Sequence, residues 1–247
     1  MKSKSKSLNK ILNIILLLIF LFLIILFISN NIKLKQINEE NIKLKKIILN
    51  KNEKSNSKSE KLVKNENVVF FGDSITEIYP IDDVYDSYQI IKSGVSGYTT
   101  KDLLNNINKM VYRYNPTKVI LLIGTNNIMT DTSEKNQDKT ISDIEKIATD
   151  IKINRPKATL YIESIYPVNR NIDKGMVNQR DNNTIKNMNK KIKKYCKDNK
   201  ITYIDMYDEL TDDDGNFDKK YTYDGLHPNT LGYAKITRIL TPYIYFS

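Results

Sequence analysis

The chain has 247 residues and a formal net charge of +10 at pH 7, a balance that suggests a nucleic-acid or membrane-surface partner. Residues 1–66 contain 14 lysines and 5 glutamates, a net charge of +9, whereas residues 67–247 contain 25 basic and 24 acidic side chains, a net charge of +1. Because nucleic-acid binding requires clustered cations, the near-neutral C-terminal part argues against such a partner. The single cysteine, Cys196, excludes an intramolecular disulfide and a cysteine-based zinc site.

The first predicted element is a transmembrane helix over residues 11–28, an apolar run interrupted only by Asn13. At about 1.5 Å per residue this run nearly spans a hydrocarbon core of about 30 Å. No small-residue cleavage site follows it, so residues 1–29 are predicted to be a cytoplasmic tail and an uncleaved anchor. Lysines flank the run on both sides and give little orientation bias, but a short tail stays in the cytoplasm more easily than a domain. We therefore expect an extracytoplasmic C-terminal domain at the cell membrane.

Residues 30–66 are predicted to form a helical stalk and a polar linker. The sequence of residues 31–35 recurs at 41–45, and apolar residues alternate at spacings of three and four, as in a coiled coil through which chains self-associate. The pattern covers only about two heptads, so an amphipathic helix lying on the membrane is the alternative. Residues 51–67 are rich in Ser, Asn and Lys and are predicted to be flexible.

Residues 67–247 are predicted to form one α/β domain. Short apolar runs predict five strands, at residues 68–71, 89–91, 119–123, 159–162 and 201–204. Helical periodicity between or after them predicts helices over residues 100–114, 133–154, 184–199 and 230–244. Alternating strands and helices indicate a parallel sheet covered on both faces. Ligands of such sheets bind beyond the carboxyl ends of the strands, so the residues that follow each strand are the candidate site.

Small and polar residues stand at these positions. They are Gly72-Asp73-Ser74, Ser93-Gly94-Val95-Ser96-Gly97, Gly124-Thr125-Asn126-Asn127 and, near the C-terminus, Asp224-Gly225-Leu226-His227-Pro228. A serine hydroxyl is a weak nucleophile that needs an adjacent base, and His227 is the only histidine. Asp224, three residues earlier, can orient the imidazole. The N–H groups of Ser74 and Gly97 and the amide of Asn126 can stabilise an oxyanion.

These blocks resemble those of the SGNH/GDSL hydrolases, in order and spacing, over about residues 67–247. The resemblance implies a flavodoxin-like three-layer α/β/α sandwich and ester hydrolysis without a metal or cofactor. It also implies that Ser74 is the nucleophile, that Asp224 and His227 complete the triad, and that Ser74, Gly97 and Asn126 form the oxyanion hole. Two residues depart from the family pattern: Lys92 stands where Asn is frequent, and Asn127 stands where Asp is frequent.

The sequence thus predicts a membrane-anchored serine esterase whose partner is an ester substrate. A tether suits envelope glycans or lipids, and the lack of an apparent apolar lid sequence favours O-acetyl groups of a cell-envelope carbohydrate. The alternatives are a lysophospholipase or lipase-type acylhydrolase, and a non-catalytic carbohydrate-binding or assembly module. Two rival motifs fail: Ser96 lacks the last glycine of a Gly-x-Ser-x-Gly elbow, and the acidic run before Gly215 lacks the end positions of a calcium loop.

Overall fold

The structure, a computed structural model, describes residues 66–81, 85 and 88–245. The predicted anchor (1–29) and all but the last residue of the predicted stalk and linker (30–66) lie outside these residues. Within the described part of the chain, no helix is both long enough and apolar enough to cross a membrane.

Five parallel strands form a single sheet. They are β1 (Asn67–Gly72), β2 (Gln89–Gly94), β3 (Lys118–Leu122), β4 (Thr159–Glu163) and β5 (Thr202–Ile204), in the order β2-β1-β3-β4-β5. Every neighbouring pair is parallel. The predicted five-stranded parallel sheet is confirmed, and each predicted run overlaps one strand. Ile123 and Ile201 lie just outside β3 and β5, and β2 extends three residues beyond its predicted end.

Among the described residues, seven α-helices connect or follow the strands. They are α1 (Ser74–Ile78), α2 (Thr100–Met110), α3 (Glu134–Asn154), α4 (Lys174–Val177), α5 (Asn182–Asp198), α6 (Tyr207–Leu210) and α7 (Thr230–Tyr245). The helix predicted over residues 100–114 is too long: α2 ends at Met110, and Tyr112–Tyr114 is a separate 3₁₀ turn. The chain leaves α-helical geometry at Val111, which has φ = −126° and ψ = −59°. Asn115, which is left-handed and precedes Pro116, ends the 3₁₀ turn, since a proline disfavours helix at the residue before it.

Two apolar clusters, one on each face of the sheet, form the core. Val69 and Phe71 of β1 pack in one cluster with the buried residues of α2, α3 and α5. Val68 and Phe70 pack in the other with those of α1 and α7. Successive strand side chains point to opposite faces, so an unbroken apolar run is what a strand buried on both sides requires. The three-layer α/β/α arrangement follows from this pattern.

The strand order determines where the candidate site lies in the sheet. From β1 the chain steps first to β2 on one side and then to β3 on the other, so the two following loops diverge and leave a crevice at the carboxyl edge. β1 ends at Gly72, and only Asp73 separates it from Ser74; Asn126 begins the short 3₁₀ helix that follows β3. These two site residues therefore flank the crevice.

Candidate active site

The nucleophile and base predicted from sequence lie in hydrogen-bond contact. Ser74 begins α1, and His227 lies in the loop before α7, 153 residues further along the chain. The distance from Ser74 Oγ to His227 Nε2 is 3.0 Å, and both residues are 8% exposed. A contact of this length lets an imidazole take the proton of an attacking hydroxyl.

Asp224 completes the series on the other side of the ring. Its Oδ2 lies 2.7 Å from His227 Nδ1, and its Oδ1 accepts the backbone N–H groups of Leu226 (2.9 Å) and His227 (2.7 Å). Burial alone would raise the pKa of Asp224, but the hydrogen bonds from the His227 ring and from the two N–H groups hold it below its usual value. The carboxylate therefore favours the tautomer with a proton on Nδ1, which leaves Nε2 to accept from Ser74.

Short-range hydrogen bonds shape the loop that carries both residues, residues 222–228, which we call the histidine loop. The hydroxyl of Thr222 accepts the N–H of Gly225 (2.9 Å) and donates to the carbonyl of His227 (2.7 Å). Gly225 has φ = +81°, and a side chain there would clash with the carbonyl of Asn169, so only glycine fits. The loop thus holds Asp224 and His227 in a fixed relation.

Gly97 and Asn126, the predicted oxyanion donors, lie on segments that are tied together; residues 94–100 and 124–127 are called the oxyanion side. Gly97 is exposed, has φ = +80°, and has no atom within 4 Å of the place of a β-carbon. The carboxylate of Glu77 accepts the N–H (2.8 Å) and the hydroxyl of Ser96. The amide Nδ2 of Asn126 donates to the carbonyl of Tyr98 (3.0 Å). Both donors are thus fixed by neighbours.

Arg180, which no sequence pattern indicated, contacts the oxyanion side at Thr125 and Asn126. Its side chain is buried at 2% exposure, its Nε donates to the carbonyl of Thr125 (2.9 Å), and its Nη2 donates to Asn126 Oδ1 (2.8 Å). Its Nη1 donates to the carbonyls of Met176 and Val177. The only sequence signal was rarity, because the chain has five arginines against 34 lysines.

Two further buried carboxyl groups were also missed: Asp73, which directly precedes the nucleophile, and Glu163, which feels the charge of Asp73. Asp73 caps α1 by accepting the N–H of Ile75 (3.0 Å), and its complete burial raises its pKa to about 6. Glu163, the last residue of β4, accepts the hydroxyl of Tyr166 (2.6 Å); burial, with a smaller contribution from the charge of Asp73, raises its pKa to about 7. Their environment is the opposite of that around Asp224, because desolvation outweighs hydrogen bonding.

The residues that depart from the family pattern lie at scaffold positions. Asn127 accepts the N–H of Thr100 (3.1 Å) and donates to its hydroxyl (2.8 Å), so it fastens the oxyanion side to the first turn of α2. Lys92 lies in the edge strand β2 with an exposed side chain, opposite Phe70 in the pairing with β1. Neither residue belongs to the series of hydrogen bonds from Ser74 to Asp224.

Other reactive groups occupy different surroundings. Cys196 is buried in α5, and burial raises its thiol pKa to about 11, so it is a poor nucleophile. The hydroxyl of Ser96 donates to the carboxylate of Glu77, whereas the imidazole of His227 contacts Ser74. Within residues 66–81, 85 and 88–245, no group of three or more His, Cys, Asp or Glu side chains is arranged to hold a metal ion.

At the crevice of this α/β sheet, a hydroxyl, an imidazole and an ionised carboxylate form a hydrogen-bonded row. This arrangement is that of a serine hydrolase. The sequence supports a narrower assignment. The model of the GDSL-like lipase/acylhydrolase family matches residues 70–235, and the chain belongs to that family. It is therefore a serine ester hydrolase, which rules out the alternative of a non-catalytic module.

Similar proteins of known structure share the fold. A Streptococcus pneumonia protein, provisionally named a platelet activating factor, is 32% identical, with a TM-score of 0.68 over 82% of this chain and 96% of that one. An acetyl xylan esterase is 20% identical, with a TM-score of 0.60 over 72% of this chain and 98% of that one. A curated relative, the N-acylneuraminate cytidylyltransferase of Escherichia coli O18:K1:H7, is 27% identical over 171 residues. The match covers 68% of this chain but only 38% of that protein.

Proposed function

We propose that the chain hydrolyses carboxylic esters by a two-step acyl transfer in which Ser74 is the nucleophile, His227 the general base and Asp224 the residue that orients the imidazole. The observation that carries this assignment is the 3.0 Å contact between Ser74 Oγ and His227 Nε2. The 2.7 Å contact between His227 Nδ1 and Asp224 supports it, because the carboxylate stabilises the imidazolium formed during the reaction.

In the first step Ser74 Oγ forms a bond to the ester carbonyl carbon while its proton moves to His227 Nε2. The carbonyl electrons move to oxygen, and the alcohol then leaves with the proton from His227. In the second step a water molecule, deprotonated by His227, attacks the acyl-enzyme. The acid leaves and the proton returns to Ser74 Oγ, so that Ser74 and His227 are regenerated.

Three groups are proposed to stabilise the oxyanion of each tetrahedral intermediate. Ser74 lies in the first turn of α1, where backbone N–H groups have no acceptor within the helix, and Asp73 caps the N–H of Ile75 rather than that of Ser74. Gly97 is exposed with open space beside it. Asn126 keeps a second amide hydrogen after donating to Tyr98. Donors fixed before the reaction contribute strongly to catalysis of this kind.

The proposed substrate is an O-acetyl group of a cell-envelope carbohydrate. The acetyl xylan esterase of the same fold acts on an acetylated polysaccharide, which favours this substrate class. The exposed ring of Tyr223 lies nearly parallel to the His227 imidazole, with centroids 6.1 Å apart, and an aromatic face beside the site suits a sugar ring. A membrane anchor at residues 11–28, with the domain on the extracytoplasmic side, would hold the enzyme near such a substrate.

A second candidate, hydrolysis of lipid-like esters, is favoured by the distribution of exposed apolar side chains. Five large apolar side chains are exposed in segments that carry site residues or form hydrogen bonds near them. They are Ile78, Met129, Ile172, Met176 and Tyr223. Met129 follows the 3₁₀ helix of the oxyanion side, and the carbonyl of Met176 accepts from Arg180. Exposed apolar side chains in these segments suit a longer acyl chain, because each buried CH₂ contributes about 0.8 kcal/mol.

Chain-length selectivity separates the two candidates. We expect p-nitrophenyl acetate to be turned over with a kcat/KM at least as high as that of the octanoate ester, and Ser74→Ala to lose activity toward both. A kcat/KM that rises steadily up to the octanoate ester would favour the lipid-like substrate. Full activity of Ser74→Ala toward either ester would contradict the proposed mechanism.

A further inference from the structure

Arg180 is an unusual cation for a chain of this composition. It is buried at 2% exposure, and its recorded hydrogen bonds end on neutral oxygens: the carbonyls of Thr125, Met176 and Val177, and Oδ1 of Asn126. A buried charge costs free energy unless it is well hydrogen-bonded. Lysine could not replace it, because only a guanidinium reaches several acceptors in one plane.

The contact with Asn126 fixes the direction of the amide. A primary amide presents an acceptor oxygen at one end and two N–H donors at the other, and the two ends are similar in shape. Arg180 donates and cannot accept, so the oxygen must face Arg180 at 2.8 Å, and the nitrogen must face the carbonyl of Tyr98 at 3.0 Å. The reversed amide would place its nitrogen against the guanidinium and its oxygen against a carbonyl. Such an arrangement would also turn an acceptor toward the substrate oxygen.

The chain reaches this contact through a strained turn. Asn178 has φ = 59° and ψ = −129°, a conformation that residues other than glycine rarely adopt. The N–H of Arg180 closes the turn on the carbonyl of Val177 at 3.3 Å. Backbone strain of about 1–3 kcal/mol persists only where the surrounding contacts impose it. At Asn178 the strained turn is held by the contacts of Arg180, whose side chain it directs into the interior.

We propose that Arg180 is a positioning residue for ester hydrolysis: it holds the Asn126 amide with its nitrogen toward the acyl oxygen. This inference rests on the proposed function, because it assigns a role relative to the oxyanion of that reaction. A guanidinium does not deprotonate in proteins, so Arg180 always donates to Asn126 Oδ1 and never accepts from it. Arg180 therefore acts through Asn126, with no contact of its own with the substrate.

A double-mutant cycle tests the proposal on p-nitrophenyl acetate hydrolysis, after Ser74→Ala has been shown to abolish that activity. We expect Arg180→Met to lower kcat roughly 10- to 100-fold with little change in KM, since one oxyanion donor is worth about 100- to 1,000-fold. In the Asn126→Ala background the same substitution should lower kcat less than about 3-fold. Equal losses in both backgrounds would overturn the proposal, whereas retained activity of Ser74→Ala would overturn the mechanism itself.

Arg155 provides a matched control. It closes α3, donates to carbonyls of Tyr112 and Asn154, and covers the Tyr112 ring at 4.9 Å, remote from the residues of the site. Arg155→Met should lower the melting temperature and leave kcat within about 2-fold, as expected for a structural contact. If Arg155→Met lowers kcat as much as Arg180→Met, the effect of Arg180 is structural and the proposal fails.

A second variant keeps the test decisive if Arg180→Met does not fold. Asn126→Asp retains the oxygen that accepts from Arg180 but replaces the donor nitrogen with an oxygen. The carboxylate can form an ion pair with the buried guanidinium, but its second oxygen then lies where the donor nitrogen was, so kcat should fall about 100-fold or more. A kcat within about 10-fold of the wild type, in a variant shown to be folded by circular dichroism, would mean that the nitrogen of residue 126 does not face the acyl oxygen, and would overturn the inference.

Discussion

The histidine loop and the oxyanion side hold their functional groups by different means. In the histidine loop, Asp224 and His227 are three residues apart, and Thr222 stabilises the loop from within the same seven residues. On the oxyanion side, Asn126 bonds to Tyr98 and to Arg180, which lie 28 and 54 residues away. The base and its carboxylate are therefore encoded locally, whereas the orientation of the oxyanion donor depends on the completed fold.

The largest expected effect tests the histidine loop. Asp224→Asn keeps an acceptor for the N–H groups of Leu226 and His227 but can offer an amide N–H to Nδ1 of His227. That contact favours the tautomer with the proton on Nε2, which cannot accept from Ser74. We expect kcat to fall about 1,000- to 10,000-fold with an unchanged melting temperature. A loss below about 10-fold, measured on p-nitrophenyl acetate, would mean that the tautomer is not set by Asp224.

The next prediction tests the oxyanion side. Asn126→Ala removes one donor, and we expect kcat to fall about 100- to 1,000-fold while KM changes little. The neighbouring Asn127→Ala is the control, because Asn127 bonds to Thr100 rather than facing the substrate. It should lower the melting temperature and reduce kcat less than about 10-fold. Reversal of this order would mean that Asn127, and not Asn126, supplies the donor.

A third prediction concerns Glu163, whose pKa is raised by burial, whereas that of Asp224 is lowered by hydrogen bonds. Burial raises the pKa of Glu163 from 4.5 to about 7, so between those values the folded chain binds more protons than the unfolded chain. Stability must then fall as pH rises through this window, by roughly 3 kcal/mol from this group. Glu163→Gln is the variant for comparison, because its amide oxygen can still accept from Tyr166. Asp73, whose pKa is also raised, is present in both proteins.

Urea unfolding at pH 5 and pH 8 provides the measurement. The free energy of unfolding of the wild type should fall more steeply between these pH values than that of Glu163→Gln. Parallel pH profiles for the two proteins would show that Glu163 is not held protonated by burial.

The smallest expected effect concerns the turn that carries Arg180. Asn178→Gly should raise the free energy of unfolding by about 1 kcal/mol, because glycine adopts the conformation of residue 178 without strain. Asn115 also has a positive φ, but its left-handed conformation (φ 51°, ψ 53°) suits asparagine. Asn115→Gly should therefore give a smaller gain in urea unfolding. Destabilisation by Asn178→Gly would contradict the strained turn.

Local patterns explain what could be predicted from the sequence. The central strands β1 and β3 were evident because strands buried on both faces are continuous apolar runs, and Asp224 and His227 were evident because a short loop carries both. The helices α1, α4 and α6 have four or five residues, too few to show a period. Arg180 was missed because its contact with Asn126 spans 54 residues, and no local spacing reveals such a pair.

The most direct measurement of the central claim is labelling by a fluorophosphonate probe, with the adduct located by mass spectrometry. The account predicts one adduct, on Ser74, formed at least about 100-fold more slowly in His227→Gln, and formed normally in Ser96→Ala. Labelling of the wild type on another residue, or labelling of Ser74 at the same rate without His227, would contradict it.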